Sequence, residues 1–264
     1  MESWCRKPFW FGLPIEAKER KETSFHHVDF SKPPEPDFWS SFPHRDIPAK
    51  SSTRVNTAKL EELIAKSAHL MTVHERDMAA KTVKILKEGA PSNQLAELKG
   101  AIMKNAPSIM KCAPVFTQTL KKWIEDEYVA GPFMEPPMPE FRANSLMAEE
   151  QKDKVRPVMN MSYPKGRSFN DNVDKLKVGR TTMSSAKKFG QALRAAGRGA
   201  LMTKMDMKDA YKLVPAKTED YRLQGFYWHH AYFIETQQIF GANTAVNNFD
   251  VLAKTVQMLA RFKS

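Results

Sequence analysis

From Asn56 onward the apolar positions fall three and four residues apart, and the spacing predicts helices. "NTAKLEELIAKSAHLM" puts Leu60, Leu63 and Ile64 on one face, with Asn56 as the candidate cap. Thr72 and Glu75 stand at capping-box spacing and open a helix through Lys87, which Gly89 closes. A third helix is expected over Asn93–Asn105, with Gly100 inside it. In "PVFTQTLKKWIEDEYVAG", Val115, Leu120, Trp123 and Ile124 predict a fourth helix ending at Gly131. The period then shortens. "PFMEPPMPEF" reads as an extended, proline-rich crossing. Strands are expected at Ser145–Glu149, Val155–Met161, Ala200–Met205, Arg222–Trp228 and Ala231–Glu235, with helices at Ser184–Ala196 and Thr244–Arg261. Residues 1–55, rich in Pro, Phe, Trp, His and Ser, show no period and read as an extended arm able to pack aromatics onto a later domain. The expected organisation is therefore an arm over 1–55, a helical region over 56–131 and a strand-containing domain over 132–264.

Composition narrows the function classes. With 264 residues, 42% hydrophobic and 27% charged, the chain has the material for a real core. No apolar run approaches the roughly 18–20 residues of a membrane helix, so no membrane partner is expected. Cys5 and Cys112 form neither a disulfide framework nor a metal-ligand spacing, and the N-terminus carries no secretory pattern. An intracellular location, cytoplasm or nucleus, is the expectation that follows. A net charge of +11 favours polyanions, with nucleic acid ahead of a membrane surface, against the plainer reading of a solvated basic face.

Three stretches carry candidate chemistry. In "LMTKMDMKDAYKLVPA", Asp206 ends an apolar run, and a carboxylate there with the next backbone carbonyl suits a hard divalent cation such as Mg²⁺. The backbone at Asp209 could then face a triphosphate, with Tyr211 as a floor. The alternative is that Asp206 or Asp209 caps a short helix through Lys212. In "KDKVRPVMNMSYPKGRSFND", Lys152 and Lys154 precede a strand with Arg156 near its start, and Arg156 is suited to bidentate phosphate contact. A basic hairpin edge that blocks strand aggregation explains the same residues equally well. "YRLQGFYWHHAYFIE" reads as a hairpin with His229 and His230 as polar residues of its tip. Its aromatics Tyr227, Trp228, Tyr232 and Phe233 fit a core, with base stacking as the lesser reading.

Taken in order, these segments resemble the fingers and palm of reverse transcriptases, especially those of DIRS-like and gypsy-like retroelements. "RPVMNMSYPKGRSFND" is similar to their R-x-I-x-D-L-S-Y-P-x-G-x-S-V-N-D. "KMDMKDAYKLVPAKTEDYRLQGFYW" is similar to K-x-D-I-x-x-A-F-x-x-I-P-x-x-x-x-D-x-x-L-x-G-F-x-W, and "HHAYFIETQQIFGANTAVNNF" follows without a gap. The resemblance spans about residues 115–255. It implies an α+β fold: a helical N-terminal region, then an incomplete fingers/palm domain over 132–264 with a mixed, mainly antiparallel sheet.

By that resemblance Asp206 matches the first catalytic aspartate, binding Mg²⁺ with the carbonyl of Met207. Asp209 and Ala210 match the backbone that meets the incoming triphosphate, and Tyr211 matches the gate that crowds a ribose 2′-OH. Arg156, with Lys154 beside it, matches the nucleotide-binding fingers. Phe240 and Gly241 match the turn beside nucleotide and template. The implied partners are an RNA or DNA primer–template, deoxynucleotides and the remainder of a retroelement polyprotein. The chain departs from the pattern at Ala148-Glu149-Glu150, where lysines are usual, at Gln238-Ile239 for Leu-Pro, and at Thr244-Ala245-Val246 for small-Ala-Pro. Nor does Y-x-D-D occur in these residues, and Asp250 lies in a helical pattern. The expectation is a protein that is inactive by itself and adds deoxynucleotides if the palm is completed. The alternative is a basic nucleic-acid-binding protein derived from a reverse transcriptase and without its chemistry.

Overall fold

In the computed structural model, which describes residues 25, 27–95, 98, 104–151, 154–178, 181, 185–202, 207 and 209–262, the predicted caps sit where the first helices begin. Helix α1 spans Thr57–Ser67, and the Asn56 side chain accepts from the Lys59 amide at 2.9 Å. Helix α2 spans Val73–Glu88 behind a complete capping box of Thr72 and Glu75. Gly89 ends it at φ 87°, a left-handed conformation that suits glycine. Helices α3 (Pro107–Lys111) and α4 (Ala113–Glu125) follow, then strands β1 (Val129–Phe133), β2 (Ala143–Asn144), β3 (Leu146–Gln151) and β4 (Lys154–Met159). After these come α5 (Lys175–Val178), α6 (Ala186–Ala196), β5 (Gly225–Trp228), β6 (Ala231–Glu235) and α7 (Asn243–Arg261).

Mixed helix and strand, with a mixed and mainly antiparallel sheet, is what the chain forms. The main sheet runs β1-β6-β5-β2, antiparallel except for the β2–β5 pair, while β3 and β4 make a separate antiparallel ribbon. Phe226 and Phe233, paired across β5 and β6, stack with centroids 5.3 Å apart. They join Phe116, Leu120 and Trp228 in the larger core, where the Trp228 indole N–H donates to Thr117 Oγ1 at 3.0 Å. A second core lies between α2 and α7. It holds Ile85, Leu86, Leu252 and Met258, with buried Thr82 and Thr255 sharing a hydroxyl hydrogen bond of 2.7 Å.

Four expected elements differ. Helix α4 stops at Glu125 instead of Gly131, and Val129–Phe133 is a strand. Glu125, Asp126 and Glu127 oppose the negative end of a helix dipole, and Val129 and Ala130 gain partners on β6. Residues 93–95 and 104–106 are not helical, the rest of the expected Asn93–Asn105 helix lying largely outside the described residues. Their backbone is committed elsewhere: the Leu95 amide donates to Asn172 and Asn93 accepts from the Asp174 amide, while Pro107 starts α3. Of the strand expected at Ala200–Met205, residues 200–202 are irregular, Leu201 and Met202 are exposed, and 203–205 lie outside the described residues. The strand expected at Arg222–Trp228 begins at Gly225, because Thr218–Leu223 forms a 3-10 turn.

Aromatic side chains among the described residues before Ser51 pack onto the larger core. Phe25, Trp39 and Phe42 are buried in the larger core, Phe30 and Phe38 pack against it, and Arg45 pairs with Gly131 on the edge of β1. This packing changes the reading of the hairpin tip. His229 and His230 both have positive φ, as a tight hairpin turn requires, but His229 is only 8% exposed. Its ring sits 4.8 Å from Phe30 and 4.7 Å from Phe38. It is a core residue, and only His230 remains a polar turn residue.

Burial, aided by the neighbouring His230 charge, lowers the His229 pKa from 6.5 to about 4. Between those values the unfolded chain takes up a proton that the folded chain refuses. Stability is thus fully present above pH 6.5 and is lost as the pH falls toward 4, by roughly 3 kcal/mol in all. His229→Asn, which keeps a residue tolerant of the left-handed turn, is expected to flatten that loss. Urea midpoints measured between neutral pH and the lower pKa check it, and an unchanged pH slope would refute the assignment.

Candidate functional site

The turn after Met207 is the best-placed part of the predicted site. Asp206 itself lies outside the described residues, as does most of the run before it, while Met207 is half-buried. Asp209 holds φ 54° and ψ 39° and precedes a 3-10 turn, Ala210–Leu213, accepting from the Lys212 amide through its carbonyl at 2.7 Å. Its exposed side chain makes no capping hydrogen bond, so the capping alternative does not hold for Asp209. Ala210 and Tyr211 are half-buried in this turn.

Two distant parts of the sequence meet here. The Tyr211 ring lies 5.8 Å from Phe240 and 5.7 Å from Phe249 of α7. Phe240 is 46% exposed, so this aromatic pair borders solvent. Gly241 follows at φ 113°, and a Cβ there would stand 2.8 Å from the Met159 carbonyl at the end of β4. Asn170 ties the junction together. Its Nδ2 donates to the Gly241 carbonyl at 2.8 Å and to Ser162 Oγ at 2.9 Å, and its Oδ1 accepts from the Asn243 amide at 2.8 Å. The end of the β3–β4 ribbon, the Phe-Gly turn and the start of α7 are thereby held by one buried side chain.

Gly241→Ala meets both the close carbonyl and a left-handed backbone. The substitution is expected to cost roughly 2–3 kcal/mol, read by urea unfolding, with a matching loss of Tyr211–Phe240 ring contact in NMR. A variant as stable as the parent would overturn this account of the turn.

Arg156 is exposed on β4, opposite Glu149 in register. It shares a strand face with Val158, two residues on, and a Cβ at Gly241 would lie 3.7 Å from Val158 Cγ1. The guanidinium thus leaves the ribbon on the face that meets the Phe-Gly turn, about 7 Å further along the strand. Lys154 pairs through its backbone with Gln151 near the ribbon's end. Tyr211, Phe240 and Gly241 thus meet at one junction beside the end of β4, with Arg156 further along that strand.

Beneath the turn lies an ion pair that pattern reading did not single out. Lys212 Nζ bonds Glu235 Oε1 on β6, with side chains 16% and 4% exposed, and the ammonium stands 4.4 Å from the Trp123 ring centroid. Burial raises the Glu235 pKa and the Lys212 charge opposes that rise. Gln238, the departure from Leu-Pro, is also accommodated. It is buried and its Oε1 accepts from Asn248 Nδ2 of α7 at 3.0 Å. No periodicity signals Asn170, Lys212 or Asn248. A polar residue within an otherwise apolar stretch, as at Glu235 and Gln238, is the one available hint.

Among the described residues, no group of three or more His, Cys, Asp or Glu side chains is placed to hold a metal ion. No helix among the described residues is long and apolar enough to cross a membrane.

Comparison with protein-family profiles and with curated proteins finds no match. Solved structures similar to this chain include foamy viral protease–reverse transcriptases. The prototype foamy virus protease–reverse transcriptase, a selenomethionine-labelled CSH mutant, shares 15% identity over 80% of this chain and 28% of its own, with a TM-score of 0.44. The foamy viral protease–reverse transcriptase in complex with an RNA/DNA hybrid shares 13% over 81% and 28%, with a TM-score of 0.44. The dRH form in complex with double-stranded DNA shares 15% over 82% and 38%, with a TM-score of 0.39. The chain thus spans between 28% and 38% of the length of these structures.

Proposed function

We propose that the chain forms the fingers and part of the palm of a DIRS-like or gypsy-like reverse transcriptase, which adds deoxynucleotides to a primer on an RNA or DNA template when its palm is complete. The observation that carries this reading is the junction of Tyr211, Phe240–Gly241 and the end of the β3–β4 ribbon. Sequence stretches that resemble separate polymerase motifs converge on one place. In the proposal, Asp206 and the Met207 carbonyl are the Mg²⁺ ligands, and the bound ion would neutralise charge on the transferring phosphate. Arg156, assisted by Lys154, contacts the triphosphate, whose oxygens also meet the backbone at Asp209 and Ala210. Tyr211 stands under the sugar and excludes a 2′-OH by its bulk.

Primer extension on a primed RNA template with Mg²⁺ and deoxynucleotides tests it, using this chain and a longer product that continues past Ser264. Extension by the longer product, abolished by Asp206→Ala, is the expected result. Tyr211→Val should raise ribonucleotide incorporation relative to deoxynucleotide by about tenfold or more. Activity that survives Asp206→Ala refutes the role given to that carboxylate.

The net charge of +11 and the exposed Arg156 favour a second reading, a nucleic-acid-binding protein without the chemistry. Steeply salt-dependent binding to RNA or DNA, with no Mg²⁺-dependent binding of nucleotides, selects it.

A further inference from the structure

A cavity of about 340 Å³ opens beside the β5–β6 turn, and none of its lining residues belongs to the site above. That volume falls at the small end of the roughly 300–1,000 Å³ of small-molecule sites. Its walls are aromatic and soft: Phe30 from the arm, Met110 from α3 and Tyr227 from β5, with the buried Trp228 behind them. Lys104 and His230, both exposed, stand among its lining residues, and no acidic side chain lines it among the described residues.

The walls are held in place. The Trp228 indole N–H is committed to Thr117, and its ring meets Phe116 edge-on at 4.7 Å. The backbone carbonyl of Tyr227 accepts from Asn105 Nδ2 at 2.9 Å. Phe30 lies 5.7 Å from Trp228 and 4.8 Å from the buried His229 ring, so the arm completes the wall.

We propose that this cavity is a second binding site, for a flat heteroaromatic ring that carries a phosphate, as a nucleotide does. The aromatic and thioether walls take the ring by stacking and dispersion, as on single-strand-binding platforms. Lys104 and His230 take the phosphate, and the lack of an acid among the described lining residues disfavours a cationic ligand. Of the four hairpin aromatics, only the half-buried Tyr227 offers its side chain to this space, whereas Trp228 borders it from the core at 1% exposure and Phe233 is wholly buried. The site stands whether or not the chain is a polymerase.

Two sources supply this chemistry, a free nucleotide and an unstacked residue of single-stranded nucleic acid. Fluorescence anisotropy, without Mg²⁺, would follow labelled deoxyuridine monophosphate and a labelled short oligodeoxythymidine on the full chain. Lys104→Gln and Met110→Glu, both at exposed positions, are each expected to weaken binding about tenfold, whereas Lys66→Gln, at an exposed lysine of α1 that lines neither site, leaves it unchanged. Weakening with the monophosphate identifies a free-nucleotide site, and weakening with the oligonucleotide alone identifies a single-strand site. Photocrosslinking with iodouracil in place of the base is expected to label Met110, Tyr227 or His230. Unchanged affinity for both probes in both variants, or crosslinks confined to other residues, overturns the proposal. Because Lys104 and Met110 take no part in the polymerase-type junction and the assay omits Mg²⁺, a failure here is distinguishable from a failure of that reading.

Discussion

Replacing Lys212 by Met is expected to lower the free energy of unfolding by about 3–5 kcal/mol, because it strands the Glu235 carboxylate in the protein interior. Glu235 is 4% exposed and Lys212 is its one ion-pair partner among the described residues. The remaining neighbours of the ammonium are the rings of Trp123 and Tyr128, which stabilise a cation and do nothing for a carboxylate. Lys212→Met combined with Glu235→Gln should recover much of the loss, since it leaves no unpaired buried charge.

Acidity provides a sharper check. The Glu235 pKa lies above its ordinary 4.5 in the folded chain, and losing Lys212 raises it further. A carboxyl raised in this way stabilises the fold below its unfolded pKa and loses that contribution as the pH rises through the folded value. The deficit of Lys212→Met should therefore shrink on acidification. Urea unfolding of both variants at neutral and acid pH measures it. A deficit that does not depend on pH would show that the loss comes from packing and not from charge.

Trp39→Ala is expected to cost a similar amount, about 3–5 kcal/mol, and to release the arm from the body of the protein. Trp39 is 9% exposed, lies 4.8 Å from Phe38, 4.7 Å from Phe42 and 5.3 Å from Phe233, and donates its indole N–H to the His229 carbonyl at 3.0 Å. Truncation removes the ring contacts and leaves that carbonyl at the hairpin tip without its donor. Trp39→Phe retains part of the packing and should cost less. Thermal unfolding gives the size of the effect. Limited proteolysis gives its location: new cleavage within residues 27–55 is the expected outcome, and a protease pattern equal to that of the parent would contradict the docking of the arm.

Much of the fold was legible because its signals are local. Asn56 and Thr72 cap helices through side chains that reach three residues along the chain, and apolar spacing marks α1, α2, α6 and α7 without reference to any partner. The β3–β4 ribbon and the β5–β6 hairpin were legible for the same reason, since short connections leave pairing little choice. Strand β1 was not. "YVAGPF" follows a helical run with no break, and it becomes a strand because β6 lies beside it and the acids at 125–127 stop α4. The two-residue β2 pairs in parallel with β5, held by a buried Asn144 that donates to the Leu223 and Gly225 carbonyls. A pairing that short has no pattern to read.

The candidate site divides along the same line. The residue types at Asp206 and Tyr211 suggested what chemistry they suit, and the resemblance to polymerase motifs is what singled out the Phe240–Gly241 turn. That is a matter of side-chain chemistry and of motifs within short windows. Packing alone decided that Tyr211 meets Phe240, that Asn170 fastens the ribbon to the turn, and that Lys212 is buried against Glu235 23 residues away. It also decided that His229 belongs to the core and that Tyr227 and Trp228 line a cavity completed by Phe30 of the arm. Each of these depends on which surfaces are removed from water together, and that is a property of the folded chain that no local window contains.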